Sequence, residues 1–209
     1  MDTEDPARRK RLAGKALTRP ANRLVPLRQK VDGPEPEPKR RSPETPGIPK
    51  IVTLGVYGST ESDFFAALRA AGVDTFCDLR RRRGVRGSAY AFANRRRLQA
   101  RLVELGIRYL HLKELAPSPA LRRRQKAADR AERTAKRERT GLSDLFVAGY
   151  HEECLGSFDS HRFLDQLGPQ ARVVALFCVE RAPAACHRSL VAERLHQDLG
   201  VEIVHLIVE

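Results

Sequence analysis

RVVALFCVERAPAACHRSLVAERLHQDLG, residues 172–200, is the stretch whose reading decides the fold. Its first eight residues form a β-branched and aromatic apolar run, short enough for a strand buried on both faces. From Pro183 the pattern changes. Leu190, Val191, Leu195 and Leu199 recur at helical spacing, Pro183 suits the first helical position, and Gly200 stands just past the last one. Strand, short link, helix and glycine stop make up the repeating unit of a parallel α/β sheet.

The same unit recurs upstream. IVTLG (51–55), VDTFCDL (73–79), IRYLHL (107–112), RVVALFCV (172–179) and VEIVHLIV (201–208) read as strands. Helical patterns fall at about 60–71, 94–105, 121–139, 142–154, 159–167 and 183–199. Gly72 and Gly106, like Gly200, each close a helix just before a strand, and Thr60 or Ser62 is placed to cap the first helix. The alternation predicts an α/β, three-layer Rossmann-like domain with a mainly parallel five-stranded sheet, its helices placed on both faces by right-handed crossovers.

Residues 1–50 have a different texture. They hold nine of the thirteen prolines and almost no apolar period, too little to offset the entropy of ordering. The expected organisation is a disordered tail over 1–50 and one α/β domain over 51–209.

In open parallel sheets, ligands sit beyond the carboxyl ends of the strands. Chemically loaded residues should therefore follow strand ends. The first strand runs into GVYGST (55–60), with Tyr57 and Ser59. The second runs into Asp78 and Arg80, and the fourth into Cys178 and Glu180. Cys186 and His187 lie four residues before Leu190 and Val191, so they belong to the inward face of the last helix's first turn.

A thiol there feels the positive end of the helix, and a neighbouring His or Arg stabilises its thiolate further. The same turn is an anion site, with Arg188 available for a bidentate grip. Glu180 could orient His187 or act as a general base. The alternative is structural: Cys178 and Cys186 as small buried hydrophobes, with Arg188 paired to Glu180. Cys178, Cys186 and His187 also offer three soft metal ligands. Adjacent ligands at 186 and 187 are awkward, however, and no paired C-x-x-C spacing is present, so neither metal nor cofactor is expected. A Cys178–Cys186 redox disulfide stands beside it as a further alternative, to be decided by geometry.

These motifs together resemble the domain of unknown function 488 family of small bacterial and archaeal α/β proteins. The matching elements are TLG at 53–55, DLR at 78–80, RGVRGSAYAFAN at 83–94, GIRYLHLKEL at 106–115 and, most specifically, CVERAPAACHR at 178–188. Members usually read D-V-R-S followed by a proline-containing stretch. This chain has Asp78, Leu79, Arg80, Arg81 and then more arginine, as in an Arg-rich subgroup. The resemblance implies the α/β fold over 51–209 and no particular reaction.

Charge narrows the partners. The net charge is +13, with +7 on residues 51–209, which favours polyanions; an arginine-heavy background composition would give the same number. Residues 80–101 hold nine arginines and no acid. Arg81, Arg82, Arg83 and Arg86, with Tyr90 among them, suit phosphate contact and base stacking. The alternative is that Phe92 and Leu98 anchor this segment while its arginines are solvated. Residues 122–139 mix signs, and the pairs Asp129–Arg133 and Glu132–Lys136 at i,i+4 predict an exposed, self-paired helix or a lid. Among the histidines, His111 lies at a strand exit and could join the site, whereas His205 reads as structural.

The expected function is thus an enzyme or enzyme-derived domain binding a phosphorylated or nucleotide-like anion. Its catalytic candidates are Cys178, Glu180, Cys186 and His187; its anion-binding candidates are Tyr57, Ser59, Asp78, Arg80 and Arg188. The alternative is a non-catalytic nucleic-acid-binding module. With no apolar run of about eighteen residues and no apolar leader, no membrane partner and a cytoplasmic location are expected.

Overall fold

The computed structural model describes residues 47–208, so nearly all of the expected tail lies outside the described residues. The five expected strands are present as β1 (Lys50–Leu54), β2 (Thr75–Asp78), β3 (Arg108–His111), β4 (Val173–Phe177) and β5 (Ile203–Leu206). They form one sheet in the order β3-β2-β4-β1-β5, with every pairing parallel. Leu54 and Asp78 both stand beside Phe177, His111 beside Asp78 and Leu206 beside Leu54, so all five strands end on one line.

The helices are α1 (Glu61–Ala70), α2 (Arg95–Glu104), α3 (Pro119–Ala131), α4 (Asp144–Tyr150), α5 (Ser160–Leu167) and α6 (His187–Leu199). The chain travels one way across the sheet from β1 to β3, then returns through β4 to β5. With one hand of crossover, that reversal puts the two helix sets on opposite faces. Side chains alternate along each strand to serve both. Val52, Leu54, Phe76 and Phe177 pack with Phe64, Phe65, Leu98 and Leu102 of α1 and α2. Ile51, Cys77, Val174 and Leu176 pack with Leu121, Phe146, Phe163, Val191 and Leu195 of α3 to α6. The neighbours β2 and β4 send their next connections in opposite directions, so the crevice of this fold opens at their carboxyl ends.

The element boundaries follow local chemistry. Thr60 caps α1, its hydroxyl accepting from the Asp63 N–H at 3.2 Å. Gly72, Gly106 and Gly200 have φ of +67°, +68° and +66°, the left-handed stop expected between helix and strand. Phe92 and Leu98 are buried anchors of the Arg-rich segment, while Arg95, Arg96 and Arg97 are exposed.

Two expectations change. The helix expected over 121–139 stops at Ala131, because Arg133 takes φ +54° and turns the chain off the axis. Neither expected i,i+4 pair is made; Asp129 instead holds Gln125 at 2.8 Å and Arg139 at 2.9 Å, and Lys136 reaches Glu180. The helix expected over 183–199 is broken. Pro183–Ala185 form a single 3-10 turn, Cys186 is extended (φ −143°, ψ 139°), and α6 begins at His187. Cys186 is therefore the residue before the helix rather than a member of its first turn. No helix among the described residues is long and apolar enough to cross a membrane.

Candidate functional site

The strand end and the helix start bring two sulfurs and an imidazole to one point. Cys178 follows β4 directly, its N–H donating to the Leu54 carbonyl at 3.3 Å. Its thiol donates to Glu180 Oε2 at 3.2 Å. His187 Nε2 lies 3.3 Å from the Leu79 carbonyl, an acceptor, so Nε2 carries a hydrogen. That leaves Nδ1 facing Cys186 Sγ at 3.8 Å and Cys178 Sγ at 3.9 Å. The two sulfurs and Nδ1 all lie within 4.8 Å of one another. Tyr150 packs on the ring, with centroids 5.4 Å apart.

The two thiols are driven in opposite directions. Burial pushes Cys186 up, but the hydrogen bond from Cys178 and the positive charges of His187 and Arg188 outweigh it and hold the thiol well below its ordinary value. Cys178, donating that hydrogen bond and buried beside Glu180, is held well above. Burial lowers His187, and the charge on Cys186 more than reverses this. These directions favour the negative charge on Cys186 and the proton on Cys178, with His187 shifted toward its protonated form. Cys178 has two acceptors for its single hydrogen, the thiolate and Glu180 Oε2.

Several expected ligand groups turn out to be bound within the chain. Arg188 is fully buried, donating from Nη1 to the Glu180 carbonyl at 2.6 Å and from Nη2 to the Arg181 carbonyl at 2.9 Å. Its partner is the backbone of Glu180, not the carboxylate. Nε has no hydrogen-bond partner among the described residues. This cation, held only by carbonyls, biases the local field toward a thiolate. Asp78 and Arg80 form a buried bidentate pair at 2.7 and 2.8 Å. Arg80 also reaches the Ala93 carbonyl at 3.0 Å and lies 4.6 Å over the Phe177 ring. The Tyr109 hydroxyl donates to Asp78 at 2.8 Å, and burial together with that carboxylate pushes its pKa up to about 12. His111 Nε2 lies 2.9 Å from the Arg80 carbonyl. Ser59 donates to the Val56 carbonyl at 2.8 Å and shapes the turn.

A cavity of about 800 Å³ opens over the thiols, with Cys178, Cys186, His187 and Tyr57 in its wall. Ten arginines and lysines line it against two acids, Asp129 and Glu180. Within the Arg block the roles divide. Arg81 holds the Ala116 and Pro117 carbonyls and Arg83 meets Tyr109. Arg82 and Arg86 line the cavity with no side-chain hydrogen bond or ion pair among the described residues, as do Arg122, Arg123 and Lys126 of α3. Tyr90 stands behind Tyr57, with ring centroids 5.3 Å apart, and its oxygen accepts from the Gly58 N–H at 3.2 Å.

The segment after α3 folds over this cavity, and its contributions escape sequence reading. Lys136 Nζ is 3.1 Å and Arg139 Nη2 3.4 Å from Glu180 Oε1. Arg139 also donates to the Ala185 carbonyl at 2.9 Å, and Arg137 lies over the rings of Tyr57 and Tyr90. One signal was available: Leu121, Gln125 and Asp129, four apart, form the buried stripe of α3. Two polar residues on such a stripe mark a helix that faces other polar groups.

Cys178, Cys186 and His187 are also the soft donor set a zinc ion takes. Adjacency is no obstacle here, because residue 186 is extended and residue 187 opens the helix, so both reach the same point.

Fold and site together define an open parallel α/β domain with a cysteine–histidine centre at its carboxyl edge. A family model described as Domain of unknown function DUF488 matches residues 61–195, and the chain belongs to that family. The match runs from α1 into α6 and takes in every site segment except the loop carrying Tyr57. No curated protein and no solved structure matches the chain.

Proposed function

We propose that this chain is a cysteine-dependent enzyme, or a domain derived from one, acting on a phosphorylated or nucleotide-like anion held at the carboxyl edge of the sheet. The observation that carries the reading is the coincidence of two cysteine sulfurs and a histidine ring nitrogen within 4.8 Å, in the wall of a cavity lined by ten cationic side chains. Cys186 is the nucleophile. Its sulfur forms a bond to an electrophilic atom of the substrate as the bond to the leaving group breaks, and His187 Nδ1 delivers a proton to that group. Glu180 and Cys178 position the proton inventory around the sulfur. Arg82, Arg86, Arg122 and Arg123 hold the phosphates. Arg80, Asp78 and Arg188 act as positioning residues, tying the two strand exits in place. The segment around Lys136–Arg139 covers the bound anion.

Inorganic pyrophosphate is the simplest probe of this reading. It is expected to slow alkylation of Cys186 in a saturable manner at low salt, and Arg82→Ala with Arg123→Ala is expected to weaken that protection about tenfold or more, as for lost charge-assisted contacts. Unchanged alkylation in the presence of pyrophosphate, a nucleoside triphosphate and a single-stranded oligonucleotide would remove the proposal.

The five unpaired cations favour a second reading, a nucleic-acid-binding module in which the thiols take no part. It requires single-strand affinity that falls with a log–log salt slope of about −0.7 per phosphate contacted, and that persists in Cys186→Ser.

A further inference from the structure

A site working through one nucleophile needs one sulfur, and this one holds two. Cys178 and Cys186 arrive from different elements, the end of β4 and the residue before α6, yet both face the same Nδ1 and both line the cavity. Their sulfurs lie within 4.8 Å of one another, and a disulfide needs them at about 2.05 Å. Cys77 and Cys154 are also buried, but neither lines the cavity. The pair differs in its surroundings too. Cys186 has cationic neighbours, whereas Cys178 has a carboxylate 3.2 Å from its sulfur that can take its proton.

We infer that Cys186 and Cys178 form an attacking and a resolving thiol that reduce a small hydroperoxide and close to an intramolecular disulfide. In the first step a lone pair of Cys186 Sγ forms a bond to the terminal peroxide oxygen. The O–O bond breaks, and the departing hydroxide or alkoxide takes the proton from His187 Nδ1 and leaves as water or an alcohol. The sulfur is oxidised by two electrons to a sulfenic acid and the peroxide is reduced by two. In the second step Cys178 gives its proton to Glu180 Oε2, and its sulfur attacks Cys186 Sγ. The S–O bond breaks, and the hydroxide takes that proton and leaves as water. A dithiol reductant restores both thiols. The disulfide removes the nucleophile assigned above, so the same chemistry switches the anion site off.

The test uses the full chain, reduced, desalted and treated with one equivalent of hydrogen peroxide before alkylation and tryptic mass spectrometry. The expected product joins peptides 173–181 and 182–188 through one disulfide, with Cys77 and Cys154 still alkylated. It forms at least about tenfold faster than oxidation at those two buried thiols. Cys178→Ser should stop at a sulfenic acid on Cys186 that dimedone traps. Four thiols that all still alkylate, or oxidation spread evenly over the four, would overturn the inference. So would one zinc ion per chain that must be stripped before either sulfur reacts. The readout needs no anion, so loss of pyrophosphate protection with an intact cross-link counts against the proposed function alone, and the reverse counts against this inference alone.

Discussion

Gly55→Ala should disable the site from a distance, and the structure sets the size of the effect. β1 and β4 exit side by side, and their backbones touch. The N–H groups of Val56 and Tyr57 both donate to the Val179 carbonyl at 3.2 and 3.0 Å, and Cys178 N–H donates to Leu54 at 3.3 Å. A Cβ on Gly55 would lie 1.9 Å from the Glu180 carbonyl oxygen and 2.8 Å from its carbon. Both are backbone atoms, so no flexible side chain can yield. Relief needs a separation of more than 1 Å, which takes these three hydrogen bonds beyond their working range, at about 1 kcal/mol each. The total, about 3 kcal/mol, is the upper part of the range for overpacking. It should lower the melting temperature by about 6–12 °C for a chain of this size. Because Cys178 and Glu180 sit on the displaced segment, Cys186 should also lose part of its low-pH reactivity. Gly141→Ala is the control, since nothing lies within 4 Å of its Cβ position. Thermal and urea unfolding of both variants give the answer. A Gly55→Ala protein within about 0.5 kcal/mol of the parent, the usual range for a surface change, would refute the close approach.

Two further substitutions test the supports. Asp78→Asn leaves Arg80 buried without its carboxylate and should cost about 3–5 kcal/mol in urea unfolding, whereas a loss below about 1 kcal/mol, in the range of an exposed ion pair, would mean that the pair is solvated. Arg188→Met removes a buried cation that stabilises the Cys186 thiolate, so the pH at which Cys186 alkylates should rise while Cys154, held at about 11 chiefly by burial, stays where it is; an unmoved Cys186 profile in a folded variant would assign Arg188 to the backbone alone.

The layout of strands and helices was legible because it is written in local terms. The runs ending at Leu54, Asp78, His111, Phe177 and Leu206 are short and apolar, and glycines at 72, 106 and 200 supply a conformation few other residues adopt. The meeting of Cys178 with His187 was legible for the same reason, since one strand exit and the helix that follows it share an edge. What a guanidinium does there was not. Arg188 and Arg80 read as anion-binding groups, but their forks are filled by carbonyls and by Asp78, and only the fold decides whether such a group meets a ligand or the backbone. The segment around Lys136 and Arg139 read as a self-paired helix or a lid, and its composition hid which groups it meets. Mixed charge at i,i+4 spacing mimics a solvated helix, and the pairs that form, Asp129 with Arg139 and Lys136 with Glu180, span ten and forty-four positions.

The central claim is that Cys186 rests as a thiolate beside a protonated Cys178, and the pH profile of alkylation, resolved cysteine by cysteine by peptide mass spectrometry, tests it most directly. A depressed thiol is deprotonated at lower pH, so its rate levels off early. Cys186 should react first and show a plateau already below about pH 8, where an ordinary thiol still gains about tenfold per pH unit. Cys178 should lag behind it, held up by its hydrogen bond to Cys186 and by burial, as should Cys77 and Cys154, pushed up by burial. A Cys186 rate that climbs through pH 8.5 like a free thiol, or a Cys178 that reacts before it, would contradict the account.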